Sequence, residues 1–135
     1  MIKNAELGKE VTVTAANKIG LLANISKVLG DHDINIEGVA GYAANNEAKI
    51  MIVTDDDTRA MDALKKAGLA VKEREIVIVE LLNKPGVLKA VSAILAKENI
   101  DIHYTYGTVC TEGCPARLIL STSDNEKALV AFKKK

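Results

Sequence analysis

The chain has 135 residues, of which 48% are hydrophobic and 27% are charged, a composition typical of a globular protein with a buried core. Eighteen basic and eighteen acidic residues give a formal net charge of zero, which removes the cationic surface that binds nucleic acid or anionic membrane. No apolar run approaches the roughly 20 residues that cross a bilayer, and residues 1–6 lack the apolar segment of a signal peptide. We therefore expect a cytoplasmic protein with no nucleic-acid or membrane partner.

An internal repeat organises the chain. At an offset of 66, residues 11–41 match residues 77–107 at eleven of thirty-one positions, whereas about two matches would arise from ordinary composition. After residue 48 the offset becomes 68, because the second copy carries two extra residues near Cys110. The sequence therefore predicts a first module at residues 1–74, which includes the N-terminal segment, and a second module at residues 75–135.

The first copy predicts the order strand, helix, strand, strand, helix, strand. Its first strand alternates polar and apolar residues, and its first helix carries an apolar stripe at helical spacing. Turn residues 44–47 predict a hairpin between the middle strands, and the acidic residues 55–57 and Gly68 mark the start and end of the second helix. The strands are predicted at residues 11–15, 34–42, 48–54 and 69–74, and the first helix at residues 21–29.

The second copy repeats this order up to its second helix, where Ser123 and Glu126 have the spacing of a capping box. Its fourth strand is absent. The order βαββαβ predicts an α+β fold of two tandem ferredoxin-like modules, each an antiparallel sheet with its helices on one face. The vacant edge of the second module could be filled by residues 1–9, by another subunit or by nothing, and an exposed edge favours an oligomer.

A short motif follows the first strand of each copy. It is Asn-Lys-Ile-Gly-Leu-Leu at residues 17–22 and Asn-Lys-Pro-Gly-Val-Leu at residues 83–88. One interpretation is a turn, since Asn, Pro and Gly favour turns and helix starts. The other is a ligand site, in which Gly lets a carboxylate approach the N–H groups of the helix N-terminus and Asn holds an ammonium or carboxylate group beside it.

The motif, with Ile-Asn-Ile at residues 34–36 and Ile-Asp-Ile at residues 100–102, resembles the ACT-domain family. That family consists of ferredoxin-like modules that bind amino acids and regulate amino-acid metabolism. The resemblance covers residues 10–132 and is closest to small stand-alone proteins made of two ACT domains and no enzyme. It implies a sensor of a free L-amino acid that modulates a partner enzyme or pathway of amino-acid metabolism. Together with the vacant sheet edge, it leads us to expect a homo-oligomer, in the form of a dimer.

The resemblance also implies where the amino acid binds. In that family, paired modules join their antiparallel sheets side by side. They hold the amino acid at the junction, between the strand-to-helix loop of one module and the start of the second strand of the other. The second copy fits the motif better, because Ile19 stands where the family usually has Pro. The implied ligand-binding residues are Asn17, Gly20 and Leu21 with Asp101 and Ile102, and Asn83, Gly86 and Val87 with Asn35 and Ile36.

Other reactive residues give weaker signals. The spacing of Cys110 and Cys114 lies outside that of zinc-binding pairs, and only His32 and His103 could complete a site. Inert thiols are the favoured interpretation, and a disulfide or redox-sensitive hairpin tip is the alternative. His103 and Tyr104 either pack on the sheet or contact a ligand side chain.

The main hypothesis is therefore an amino-acid sensor that needs no metal or cofactor and is not an enzyme. Its rival is an oligomerisation module without a ligand, in which the same loops are only turns. A third interpretation, redox chemistry at the cysteines, has little support, since the sequence carries no recognisable catalytic motif.

Overall fold

The protein is described by a computed structural model, which covers residues 1–109 and 114–134. That part of the chain contains six strands and four helices. The strands are β1 (Ile2–Ala16), β2 (Ile36–Ala44), β3 (Glu47–Thr54), β4 (Ala70–Leu81), β5 (Ile102–Thr108) and β6 (Ala116–Thr122). The helices are α1 (Leu21–Asp31), α2 (Asp57–Lys66), α3 (Val87–Lys97) and α4 (Asn125–Lys133).

The chain divides into two compact units. The first unit is residues 9–74, and the second unit is residues 1–8 together with residues 75–135. Both β1 and β4 run across a boundary, so each strand contributes residues to both units. This division differs from the one drawn from the sequence in the N-terminal segment, which lies with residues 75–135 and not with the first copy of the repeat.

In the first unit the strands are hydrogen bonded in the order β2-β3-β1-β4. β3 pairs antiparallel with both β1 and β2. Alternate strand residues and the apolar stripes of both helices meet in one core, because a strand repeats every two residues and a helix about every 3.6. That core contains Val11, Val13, Ile50 and Ile52 from the strands and Ile25, Leu29, Ala60 and Leu64 from the helices.

The second unit has the strand order β1-β4-β6-β5, with β6 antiparallel to β4 and β5. Residues 2–8 of β1 occupy the sheet edge that the second copy of the repeat leaves vacant. The amide of Leu82 donates a hydrogen bond of 3.0 Å to the carbonyl of Met1. Ala5 is buried in the same core as Val79 and Phe132. Of the three occupants considered for this edge, the N-terminal segment is the one observed.

The predicted fold class is thus confirmed: the protein is α+β, with two ferredoxin-like units that each carry two helices on one face of an antiparallel sheet. The predicted hairpin is also present, and Ala44 pairs with Glu47 across it. Its two turn residues, Asn45 and Asn46, have φ of 54° and 65°, as a type I′ turn requires. No helix in the described ranges is long and apolar enough to cross a membrane.

Carboxylate side chains cap two of the helices. Asp56 accepts a hydrogen bond of 3.1 Å from the amide of Arg59 at the start of α2. Asp124 accepts one of 3.0 Å from the amide of Lys127 at the start of α4. The predicted capping box at Ser123 is wrong, because the helix begins one residue later and the Ser123 hydroxyl accepts from the amide of Asp101 instead.

Candidate functional site

The loop between β1 and α1 lies against the tip of the hairpin in the first unit. The amide of Asn17 donates a hydrogen bond of 2.9 Å to the carbonyl of Asn46. Farther along the loop, the amide of Leu21 donates to the carbonyl of Lys18 at 3.2 Å. The loop is therefore a folded turn that forms one wall of a depression, with the ends of β2 and β3 as the other wall.

This depression, here called the first pocket, has a volume of about 340 Å³. Three of the predicted ligand residues, Asn17, Gly20 and Leu21, line it. All of its walls belong to residues 9–74, so it is a feature of the first unit alone. The remaining lining residues are Lys18, Leu22, Tyr42, Ala43, Ala48 and Ile50.

The second unit carries a matching depression, the second pocket, with a volume of about 200 Å³. The predicted residues Asn83 and Val87 line it, and Gly86 lies between them in the chain. Its other walls come from the end of β4, from the start of α3, and from the facing ends of β5 and β6. They are Leu81, Leu82, Lys84, Leu88, Gly107, Thr108, Val109, Ala116, Arg117 and Leu118.

The two pockets are built from equivalent positions of the repeat. The loop and helix residues correspond at an offset of 66, and the β3 and β6 residues correspond at an offset of 68. The fold has therefore produced the same depression twice from independent stretches of chain. The equivalent pairs are Asn17 and Asn83, Lys18 and Lys84, Leu21 and Val87, Leu22 and Leu88, Tyr42 and Thr108, Ala43 and Val109, Ala48 and Ala116, and Ile50 and Leu118.

The helices that open onto the pockets differ from the other two in their capping. Gly20 precedes α1 and Gly86 precedes α3, and neither helix receives a side-chain cap from the described residues. The first N–H groups of a helix need a partner from a side chain, water or a ligand, and they carry partial positive charge. The first amide of each helix, at Leu21 and Val87, donates to the carbonyl of Lys18 or Lys84. The next amides at the pocket ends of α1 and α3 are suited to an anionic ligand, with the side chains of Lys18 and Lys84 in the pocket walls.

The two loop glycines have a backbone reason to be glycine. Gly20 has φ of +91° and Gly86 has φ of +87°, a conformation that glycine adopts without steric cost. Conformation alone therefore accounts for both residues. A Cβ atom at either position would meet no other atom within 4 Å, so the space beside each loop is open to a small molecule.

The other four predicted residues lie at the opposite end of their own hairpins. Asn35 and Asp101 directly precede β2 and β5. Their amides donate hydrogen bonds to the Asp55 carboxylate at 3.0 Å and to the Ser123 hydroxyl at 2.9 Å. Ile36 and Ile102 pack against the cores of their own units. Within one unit, the structure does not bring these four residues to the loop residues.

The remaining candidates are structural or lie outside the described residues. The rings of Tyr104 and Tyr106 stack at a centroid distance of 6.4 Å, which supports sheet packing for that part of β5. Cys114 is disulfide-bonded, in agreement with the alternative interpretation and against the favoured one of inert thiols, and Cys110 lies outside the described residues. Within residues 1–109 and 114–134, no group of three or more His, Cys, Asp or Glu side chains could hold a metal ion.

Sequence reasoning found the loop side of each pocket and missed the hairpin side. Tyr42 and Ile50 in the first pocket were assigned only to strands, and Ala43 lies between the predicted strand at residues 34–42 and the turn at residues 44–47. A usable signal was present, because the second offset of the repeat aligns residues 48–50 with residues 116–118. Small and aliphatic residues recur in the pocket walls at Ala48 and Ala116 and at Ile50 and Leu118.

Comparison with known proteins agrees with this architecture. The family model of the ACT domain pair matches residues 8–134, and the chain therefore belongs to the ACT domain pair family. No curated protein matches it significantly.

Solved structures share the fold along almost the whole chain. A protein from Bacteroides thetaiotaomicron superposes with a TM-score of 0.89 and 25% identity, over 96% of this chain and 89% of that one. The ligand-free regulatory subunit of aspartate kinase from Thermus thermophilus superposes with a TM-score of 0.68 and 15% identity, over 98% and 97%. The corresponding subunit from Thermus flavus superposes with a TM-score of 0.62 and 15% identity, over 98% of this chain and 97% of that one.

Proposed function

We propose that this protein is a regulatory amino-acid sensor. Each of its loops, residues 17–21 and 83–87, binds the carboxylate of a free L-amino acid, and the adjoining pocket receives the rest of the molecule. Binding then modulates a partner enzyme of amino-acid metabolism, and the protein itself carries out no reaction. The contributions of Asn35, Ile36, Asp101 and Ile102 stay a prediction of the family resemblance.

The observation that carries this proposal is the contrast in helix capping. α2 and α4 begin with Asp56 and Asp124 as caps, whereas α1 and α3 begin at open pockets without any cap from the described side chains. The contrast occurs in both units, at the motif that resembles the ACT family. A carboxylate at these positions would satisfy the helix amides as a capping aspartate does.

Two further considerations support a regulatory role. Membership of the ACT domain pair family fits a binding module, and the fold is shared with proteins described as regulatory subunits of aspartate kinase. Among the described strands, β2 and β5 are the last in the order of their units, and the edge strands of sheets favour association. We therefore expect a homodimer.

The test is a thermal-shift screen of the twenty L-amino acids at millimolar concentration. A ligand that binds only the folded protein at about 100 times its Kd stabilises it by roughly 2.7 kcal/mol, so at least one amino acid should raise the Tm clearly. The matched control is the carboxamide of that same amino acid, which keeps the side chain and ammonium group but has no carboxylate. It should give little or no shift.

The rival is a ligand-free oligomerisation module. A flat response to all twenty amino acids, together with a stable dimer by sedimentation, would favour this rival and leave the loops as simple turns. An equal response to the amino acid and its carboxamide would keep a ligand but exclude carboxylate recognition at the helix N-termini.

A further inference from the structure

The two pockets have the same plan but different sizes. The first has a volume of about 340 Å³ and the second about 200 Å³. Four pairs of equivalent lining residues differ in side chain, namely Leu21 and Val87, Tyr42 and Thr108, Ala43 and Val109, and Ile50 and Leu118. Of these pairs, only Ala43 and Val109 place the larger side chain in the smaller pocket, so this pair alone follows the direction of the size difference.

These walls are unusual for the surface of a water-soluble domain. Leu22, Tyr42, Leu88 and Val109 all line pockets, yet all four rank among the large hydrophobic side chains that remain exposed, with Val109 at 67% and Tyr42 at 56%. Clustered exposed apolar side chains with polar residues at their rim are typical of binding sites. Since they occur in both units, the pockets are suited to an apolar ligand group.

The chemistry of the walls differs between the pockets. The branched Val109 lines the second pocket, whose other apolar walls include the aliphatic Leu82 and Leu88. In the first pocket, Ala43 leaves room, and Tyr42 offers an aromatic face that can stack on a flat ring. Val109 carries two more carbon atoms than Ala43, which leaves less room for a ring at the equivalent position.

We propose, on the basis of the sensor function above, that the two pockets select different amino acids. The second pocket takes an amino acid with a short branched aliphatic side chain, and the first pocket takes one with an aromatic side chain. The residue at position 43 or 109 sets the size limit.

The test uses the repeat as its own control, with the reciprocal variants Ala43→Val and Val109→Ala. Both positions are exposed, so both variants should fold, as their NMR spectra will show. Titrations with L-valine and L-phenylalanine are followed by the backbone amides of Leu22 and Leu88, which report the two pockets separately. Ala43→Val should raise the Kd for L-phenylalanine, measured at the Leu22 amide, about tenfold. Val109→Ala should lower the Kd for L-phenylalanine, measured at the Leu88 amide, about tenfold. Changes of this size are expected when one or two carbon atoms are added to or removed from an apolar pocket.

The outcomes separate this inference from the proposed function. If both pockets bind L-valine and L-phenylalanine alike, or if the variants change each Kd by less than about threefold, the selectivity inference is overturned and the sensor function stands. If no amino acid moves either set of resonances, both proposals fail together.

Discussion

The amide of Asn17 donates a hydrogen bond of 2.9 Å to the carbonyl of Asn46, joining the motif loop to the turn of the β2-β3 hairpin. The first pocket lies between these two segments, so its width depends on this contact. Asn46 has φ of 65°, which asparagine tolerates better than most residues. The turn residues of the hairpin thus contribute to the pocket although they do not line it.

Substitutions at Asn46 should separate turn geometry from pocket chemistry. Asn46→Gly should keep the turn and match or slightly exceed the wild-type stability, since Asn-Gly is the preferred type I′ pair. Asn46→Val should destabilise the protein by about 1–3 kcal/mol, because a branched residue is strained at positive φ. Urea unfolding will measure both changes. Amino-acid titration should show weaker binding at the Leu22 amide in Asn46→Val, with the Leu88 amide unchanged.

The loop glycines have a matched control elsewhere in the chain. Gly68 follows α2, has φ of +86°, and would also place a Cβ in open space. Alanine at Gly20, Gly86 or Gly68 should therefore cost a similar amount of stability, about 1–2 kcal/mol. Only Gly20→Ala and Gly86→Ala should weaken amino-acid binding in calorimetry. Equal stability losses with wild-type binding in all three variants would make the loops simple turns.

The N-terminal segment should be essential to the second unit. Ala5 is 4% exposed in the core of that unit, so Ala5→Asp would bury a carboxylate among apolar side chains and should cost at least about 2 kcal/mol. Asn4→Asp adds the same charge at an exposed neighbouring residue, and its free energy of unfolding should stay within about 0.5 kcal/mol of that of the wild type. Denaturant midpoints will compare the two variants. Similar midpoints would contradict the placement of β1 in this unit.

One carboxylate pair predicts a pH dependence. A hydrogen bond to the Asp57 side chain raises the pKa of Glu73 above its ordinary value of 4.5, with burial and the charge of Asp57 adding to the effect and Lys9 and Lys65 opposing it. The pKa of Glu73 is higher in the folded state than in the unfolded state. The hydrogen bond between protonated Glu73 and Asp57 therefore stabilises the protein fully when the pH lies below the unfolded-state pKa. This stabilisation is lost as the pH rises through the folded-state pKa.

Glu73→Gln should therefore raise the Tm at pH 7, where it keeps a hydrogen-bond donor beside Asp57 and removes the repulsion between two carboxylates. The gain should disappear at pH 4. Glu47→Gln makes the same change of charge at an exposed hairpin residue and serves as the control. Parallel Tm profiles of the two variants between pH 4 and pH 7 would contradict this account.

Local patterns were sufficient for much of the architecture. The repeat, the apolar stripes of α1 and α3, and the alternation in residues 11–15 predicted the order of elements, because helix and strand periodicities are properties of neighbouring residues. The Asn-Lys-x-Gly motif located the loop side of both pockets in the same way. The cap at Asp124 shows the limit of such reasoning, since Ser123 and Asp124 are both good caps and adjacent in the chain.

The sequence by itself determined the two βαββαβ-type units, their helix faces and the loops that open onto the pockets, because each depends on residues close together in the chain. Only the tertiary structure decided that residues 2–8 extend β1 and complete the second unit, since their extended form depends on pairing with β4. It also decided that Tyr42 and Ala43, or Thr108 and Val109, face the loops. Those contacts join residues more than 20 positions apart. Hydrophobic periodicity depends on neighbouring residues, so it does not predict which distant segments will come into contact.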